Sequence, residues 1–373
     1  MKTVIYIRAD DIFNDSRATK EIIALAEKDY QVFVLGWNRT GIAKEKCTDV
    51  FSQYPNVKFS FYSGIIDHSI GIRNITKFFG WITWAKHELK TMPRFSLIHA
   101  CDLDSGIIAY SYCKKYAIPY IYDIYDYYID SHNIPHFIKW MVEELEIKVI
   151  DNAELVVICT EERREQIKKS KPQKLIVVHN SPDVEMLHEN EIINYDYAYC
   201  GELSSRRMLD RIFEDYPKNA DISMCIAGNG WEEKEAIELD SKFDNLLFKG
   251  EVSYAEVINI EKHARCLSAI YDPSYRNHRL CAPNKFYEAL ALGKPVIVCR
   301  GTGIDNIVGQ YKIGIVIDYD VSEFYQAIRR LKASPSECIE MGKRARQLYE
   351  DRYRWKIMRD RLYKAYQSVL SEK

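Results

Sequence analysis

Lys285 and Glu288 stand three residues apart in Asn284-Lys285-Phe286-Tyr287-Glu288, so a helix would place them on one face. The free N–H groups and the dipole at a helix N-terminus attract anions, and a lysine in that first turn strengthens the attraction. A carboxylate one turn deeper can accept hydrogen bonds from sugar hydroxyls. With Asn284 at the start of the turn, this is chemistry suited to a nucleotide diphosphate and its ribose. The same residues would also serve an ordinary solvated helix, and the surrounding sequence has to separate the two readings.

The element that must position them is well marked. Pro283 suits the first helical position, where a missing N–H has no partner to lose. Gly293 stands where a helix ends in a left-handed conformation, and Pro295 prevents continuation. Val296-Ile297-Val298 is a short apolar run, as expected of a strand covered on both faces. Phe286 and Leu290, four apart, form a second helix face suited to packing on a sheet.

A chain of 373 residues favours two domains. At 47% hydrophobic and 28% charged it has the composition of an ordinary soluble globular protein. The net charge of −2 argues against a nucleic-acid partner. Ten cysteines occur without a Cys-x-x-Cys pair, several inside apolar runs, so they read as core residues of a reducing compartment, with neither zinc nor disulfide. Met1-Lys2-Thr3-Val4-Ile5-Tyr6-Ile7 is too short for an export segment, and no apolar run reaches the roughly 20 residues of a membrane span. A cytoplasmic protein is expected, at the inner face of the plasma membrane if the segment 71–94 binds lipid.

The first half opens with a strand at 3–7, a polar loop, a helix at 17–29 and a strand at 31–35, a β-α-β unit. No Gly-x-Gly-x-x-Gly follows the first strand, which counts against a dinucleotide oxidoreductase. Asp15 or Ser16 can cap the helix, and the cap is assigned to Ser16. The segment 71–94 carries Trp81, Trp84, Phe78 and Phe79 among Arg73, Lys77, Lys86, Lys90 and Arg94. It is either a helix packed on the sheet with solvated cations or one whose Trp and Lys residues touch an anionic membrane. Strands then lead into loops at His99-Ala100-Cys101-Asp102-Leu103-Asp104 and at Tyr122-Asp123-Ile124-Tyr125-Asp126. Both lie at C-terminal strand ends, where open α/β sheets bind ligands. Asp102-x-Asp104 has the spacing of a metal pair but lies in this first half, and no metal is expected. In the helix at 137–151, Glu143, Glu144 and Glu146 read as a solvated side. A polar run at 182–194 reads as a linker.

The second half repeats the α/β pattern. Gly201-Glu202-Leu203-Ser204-Ser205-Arg206-Arg207 follows a strand at 195–200, and Gly228-Asn229-Gly230 follows one at 222–227. Two arginines opening a helix are unfavourable without an anion, and arginine holds phosphate bidentately. The loop 272–282 carries Tyr275, Arg276, Asn277, His278 and Arg279, and some of these groups are expected to read a donor sugar.

Taken in order, these segments resemble the retaining glycosyltransferases of family 4. The resemblance implies the GT-B fold: α/β, two facing Rossmann-like domains with parallel sheets and an interdomain cleft. It divides the chain into an acceptor-binding domain at 1–181, completed by a C-terminal helix at 354–373, and a nucleotide-sugar domain at 195–353. In that family the glutamate at the Glu288 position holds the donor ribose; a second glutamate eight residues earlier is replaced here by Leu280. The Pro-Asn-Lys…Glu form is similar to members that build bacterial surface polysaccharides. The resemblance further implies that Arg207, or alternatively Arg206, clamps the diphosphate with Lys285. It implies that Gly228, Asn229, Gly230 and Val252 approach the nucleotide with their backbone. Asp15, Arg17, Asp102, His278 and Arg279 fall where the family meets sugar or acceptor. His99, which could equally be a core histidine, and Asp126 fall at catalytic loops, and Tyr125 replaces a family histidine. The expected activity is retaining, metal-independent transfer of a hexosyl group to a glycan or polyprenyl-linked acceptor, without a further cofactor. A nucleotide-sugar epimerase of the same fold and a non-catalytic partner subunit are the alternatives.

Overall fold

Both halves of the chain repeat one motif, a short, mostly apolar strand followed by a polar loop and a helix. That repetition builds parallel sheets covered by helices. A computed structural model describes residues 2–64, 72–132, 134–184 and 192–371, without the side chains of Asn14 and of residues 72–75. The chain divides into two units, Met1–Val178 with Arg359–Lys373, and His179–Met358.

The first unit holds β1 (Thr3–Arg8), β2 (Gln31–Asn38), β3 (Val57–Ser63), β4 (Leu97–Cys101), β5 (Tyr120–Ile124), β6 (Leu155–Ile158) and β7 (Leu175–Val177). They form one sheet in the order β3-β2-β1-β4-β5-β6-β7, every described pair parallel. The order reverses between β1 and β4, so the loops leaving those strands part to opposite sides and leave room for a ligand at their C-terminal ends. β4 and β5 are buried at every residue, His99 and Asp123 included. In the C-terminal helix, Leu362, Tyr366 and Leu370 are buried.

Four local expectations change. The cap of the helix Ser16–Glu27 is Asp15, not Ser16: its carboxylate accepts the amides of Arg17 and Ala18 at 3.1 and 3.0 Å. Asp102 and Asp104 do not sit in a loop but open the helix Asp102–Tyr116, whose Leu103, Gly106, Ile108, Ala109 and Cys113 form its buried face. Two acids in a first turn suit the positive end of the helix dipole. The residues 71–75 lie wholly or in their side chains outside the described set. Farther along the helix Ile72–Thr91, Trp81 is completely buried and stacks between Trp37 and Trp84 at 5.7 and 5.4 Å. Trp81 therefore cannot reach a headgroup layer, and Trp84 is partly buried against the same core.

Glu146 is the fourth. It is not solvated but fully buried on the helix His136–Asp151, where its carboxylate accepts the Tyr122 hydroxyl at 2.9 Å and the Tyr128 amide at 3.2 Å. Burial pushes its pKa from 4.5 to about 8. A carboxyl raised in the folded state contributes stability that is full below its unfolded value and is lost as pH rises through the folded one. Glu146→Gln removes that titration. Relative to the Gln variant, the wild type should lose on the order of 4 kcal/mol between pH 5 and pH 8. Urea denaturation at a series of pH values measures it, and parallel curves for the two proteins would refute the assignment.

The second unit holds β8 (Tyr195–Cys200), β9 (Met224–Ala227), β10 (Leu246–Phe248), β11 (Ala264–Ala269), β12 (Val296–Cys299) and β13 (Gly314–Ile317). Their order is β10-β9-β8-β11-β12-β13, again parallel throughout the described pairs. Here the reversal falls between β8 and β11, next to the loops that follow Cys200 and Ala269.

Candidate functional site

In the second unit the helix Asn284–Ala291 presents its N-terminus at the end of β8. Pro283 takes the N-cap, one residue before the expected position, and offers no side chain to the first-turn amides. Tyr287, one turn in, hydrogen-bonds His179 Nδ1 at 2.9 Å, and Asn180 donates to the Ala282 carbonyl at 2.9 Å. These two bonds hold the helix entrance. Lys285 reaches across to donate to the Cys200 carbonyl, with its ammonium 4.9 Å from the Tyr199 ring centre. A Cβ at Gly201 would stand 2.5 Å from that ammonium and displace it, and the φ of 152° lies in the range L side chains avoid. Asn284 is exposed beside it, and Glu288 is buried to 4% exposure one turn deeper.

The glycine loops lock together. Gly228 donates to the Gly250 carbonyl at 2.7 Å, Gly201 donates to Ala227 at 2.8 Å, and Leu203 donates to Asn229 at 2.8 Å. A Cβ at Gly228 would collide with the Gly201 carbonyl. Gly228, Asn229, Gly230 and the chain leading to Val252 are thus brought beside the Lys285 loop. The Asn229 amide itself pairs with Glu251 at 3.1 Å.

Arg207 lies 3.9 Å from the Tyr271 ring centre and 3.5 Å from Glu202, largely shielded from solvent. The buried His278 orients it. The ring's Nδ1 meets the Asp272 carbonyl at 2.9 Å, so Nδ1 carries the proton and Nε2 accepts from Arg207 at 3.4 Å. Burial lowers the His278 pKa, which keeps it neutral. Arg206 is exposed and stacks on Tyr275 at 4.9 Å, and the exposed Arg279 donates to the Pro273 carbonyl at 2.7 Å. Of the two arginines, Arg207 has the fixed geometry.

Sequence reading missed the residues that complete this pocket. Tyr199 on β8 and Tyr271 after β11 lie between the two cations; both hydroxyls are pushed up by burial, Tyr271 to about 12, while Arg207 works against the rise. The Tyr254 hydroxyl sits against the Glu288 carboxylate. Glu261, 2% exposed in the last turn of the helix Tyr254–Lys262, is driven well above its ordinary pKa by burial and then by Glu288. Only adjacency across the sheet brings these side chains together, and no local spacing marks them.

The first-unit candidates gather at the C-terminal ends of β1, β4 and β5. Asp102 accepts the Tyr125 and Asp126 amides at 2.9 and 3.1 Å and pairs with Arg8, which also holds Asp15 at 2.9 Å. Burial raises Asp102 to about 6. Asp126 is half-exposed and paired with Arg163 at 2.9 Å. Tyr125 lies under Arg8 at 4.3 Å and meets the Tyr6 hydroxyl at 2.9 Å. His99 is fully enclosed: it stacks on Tyr6 at 4.6 Å, meets the Tyr366 hydroxyl at 2.5 Å, and has Glu21 and Asp123 3.6 and 3.5 Å from Nε2. Arg17 is buried as well and clamps Asp123 through two contacts of 2.9 Å, with Glu21 at 3.2 Å. Asp126 therefore has exposed surface to offer a ligand, Asp102 is largely buried and holds the Tyr125-Asp126 backbone, and His99 and Arg17 serve the interior.

Among the described residues, Glu21, His99 and Asp123 are the one group whose ligand atoms converge closely enough for a metal ion. Their charge is already met by the Arg17 guanidinium, which would repel a divalent cation in the same buried space. The residues present do not fit a metal well.

Residues 194–348, most of the second unit, match the family model for glycosyl transferases group 1. No curated protein matches the sequence. Among solved structures, sucrose-phosphate synthase from Thermosynechococcus elongatus is 16% identical over all of both chains with a TM-score of 0.72. A mutant of TarM from S. aureus, solved with fondaparinux, alpha-GlcNAc-glycerol and UDP, is 10% identical over 99% of this chain and 100% of that one, with a TM-score of 0.68. The lipopolysaccharide outer core galactosyltransferase WaaB, in its apo form, is 14% identical over 99% of each chain with a TM-score of 0.60. At such identities the likeness is one of fold, and that fold is α/β of the GT-B type.

Proposed function

We propose that this protein is a retaining glycosyltransferase that moves a sugar from a nucleotide-diphosphate sugar to a glycan or lipid-linked acceptor in the making of a cell-surface polysaccharide. The observation that carries the reading is the meeting of Lys285, the first turn of Asn284–Ala291 and the loop at Cys200-Gly201, with Glu288 buried one turn behind. An anion placed at that N-terminus meets backbone N–H groups and an ammonium together, and its ribose falls toward the carboxylate. The match of residues 194–348 supports the same reading.

The chemistry asks the protein chiefly for charge stabilisation. As the bond between the sugar and the diphosphate breaks, negative charge grows on the diphosphate oxygens. Lys285, Arg207 and the helix N-terminus are fixed before the reaction and lose little to reorganisation. The acceptor hydroxyl attacks from the face the diphosphate leaves, and the departing diphosphate takes its proton, so configuration is retained and no protein base is consumed. Within the first unit, Asp126, half-exposed and held by Arg163, is the carboxylate offered to an acceptor hydroxyl, and Asp102 braces the Tyr125-Asp126 backbone. His99 supports this region from beneath. Contact with an anionic membrane through 71–94 would rest on the exposed Phe79, Lys90 and Arg94, since Trp81 is enclosed.

Thermal denaturation with UDP-, GDP-, dTDP-, ADP- and CMP-sugars tests the proposal. One diphosphate donor class should raise the melting temperature by mass action, and the CMP-sugar, with its single phosphate, should not. Release of free nucleotide only when a glycan or polyprenyl-phosphate acceptor is added would separate transfer from epimerisation. No stabilisation by any donor, with or without acceptor, would overturn the reading.

A further inference from the structure

The first unit contains a cavity of ≈ 650 Å³ at the opposite edge of its sheet, where β1, β4 and β5 begin. Lys2, Ser96 and Pro119, the residues just before those strands, all line it. One five-residue strand, about 17 Å of chain, separates this edge from Asp102 and Tyr125. The volume falls within the range of small-molecule sites.

Its walls are chemically one-sided. Lys2, Lys90 and Arg94 supply three positive charges, and among the described lining residues there is no acid. Lys2 is held in place: its ammonium donates to the Leu370 carbonyl at 2.9 Å, at the end of the C-terminal helix. Lys90 and Arg94 are exposed at the end of Ile72–Thr91 and just beyond it. Between the cations lie Leu89, Phe95 and Leu370, all at 8% exposure or less. The Tyr112 hydroxyl is spent on the Leu89 carbonyl at 3.1 Å, so Tyr112, paired with Tyr116 at 4.5 Å, contributes ring surface.

We propose that this cavity binds an anionic amphiphile, a phosphate or phosphodiester head carrying an aliphatic chain. Three cations without a counter-acid call for an anion, and the apolar wall calls for a hydrocarbon body. No Asp, Glu, Asn or Gln lines the cavity among the described residues to read sugar hydroxyls or base edges, which sets it apart from the donor pocket. The inference is independent of the donor-site reading.

Isothermal titration of the full chain with dodecyl phosphate below its micelle concentration is the test, beside inorganic phosphate and dodecyl maltoside. Dodecyl phosphate should bind at least about tenfold more tightly than either. The double variant Lys90→Glu, Arg94→Glu, with an unchanged melting temperature, should weaken it by about tenfold or more. Equal binding by the neutral maltoside, equal binding by inorganic phosphate, or an unaltered double variant would each overturn the proposal. Co-sedimentation with phosphatidylglycerol vesicles but not phosphatidylcholine vesicles, lost in the double variant, assigns the head to a bilayer lipid; binding of monomeric dodecyl phosphate alone assigns a free phosphate amphiphile. Nucleotide-sugar stabilisation should persist in the double variant, which separates failure of this site from failure of the donor site.

Discussion

Lys285→Ala should abolish stabilisation by the nucleotide sugar and reduce turnover by about a hundredfold or more. The ammonium is fixed by the Cys200 carbonyl and by the Tyr199 ring, and it stands at the N-terminus of Asn284–Ala291. A charge-assisted hydrogen bond contributes about 1.5–3 kcal/mol, so its loss alone weakens ground-state binding by roughly ten- to a hundredfold. Because the charge on the leaving diphosphate is greater in the transition state, the rate should fall further than the affinity. Glu288→Gln should behave differently. The amide keeps the shape but weakens the acceptor for ribose hydroxyls, so donor affinity falls by about tenfold while turnover at saturation changes little. Steady-state kinetics beside calorimetric donor binding separate the two variants. Wild-type affinity and rate in the Lys285 variant would remove the central element of the proposal.

A larger structural effect is expected at Arg17. Its guanidinium is the cation that faces Asp123 at 2.9 Å and Glu21 at 3.2 Å, both completely buried; burial pushes Glu21 up to about 8, so Asp123 carries the charge at neutral pH. Removing one partner of a buried pair leaves the other charge desolvated and uncompensated, a loss of about 3–5 kcal/mol. Against a total stability of about 5–15 kcal/mol, Arg17→Ala should remove a large share of what holds the first unit folded. The sign with pH is defined. Arg17 holds Asp123 below its ordinary pKa against the opposing pull of burial, so in the wild type this contribution is present above about pH 4 and lost as pH falls through the folded value. Without the guanidinium both carboxyls would titrate upward. The gap between wild type and variant should therefore narrow as the pH is lowered. Denaturant midpoints at pH 7 and pH 5 read it directly, and a destabilisation below about 1 kcal/mol at pH 7 would show that the network does not depend on this cation.

The contrast between these residues shows where local sequence stops being informative. Asn284-Lys285 with Glu288 was legible because proline, glycine and an apolar strand bracket a single helix, and helical geometry alone puts the two charges on one face. The glycine loops at Gly201 and Gly228 were legible as turns, but not their collision-close packing, which follows from β8 and β9 lying side by side. Glu146 read as solvated because three acids on a helix usually face water; burial was decided by Tyr122, 24 residues earlier. Trp81 stayed open between sheet packing and membrane contact, because its partner, Trp37, comes from β2.

What the sequence by itself determined is the alternation of apolar strands with amphipathic helices, the parallel sheets that alternation requires, and the placing of polar loops at strand ends. Those are consequences of periodicity and of capping chemistry, both of which act over a few residues. Tertiary structure alone decided which side chains complete the pocket: Tyr199, Tyr271, Tyr254 and Glu261 gather around Lys285 and Glu288 from three separate elements. It alone decided that Arg17, open as a ligand contact in the sequence, is a buried counter-ion, and that cations far apart in the sequence, Lys2 with Lys90 and Arg94, share one cavity. The physical reason is the same in each case. Burial and charge pairing depend on neighbours across the sheet, and strand order, not sequence distance, sets those neighbours.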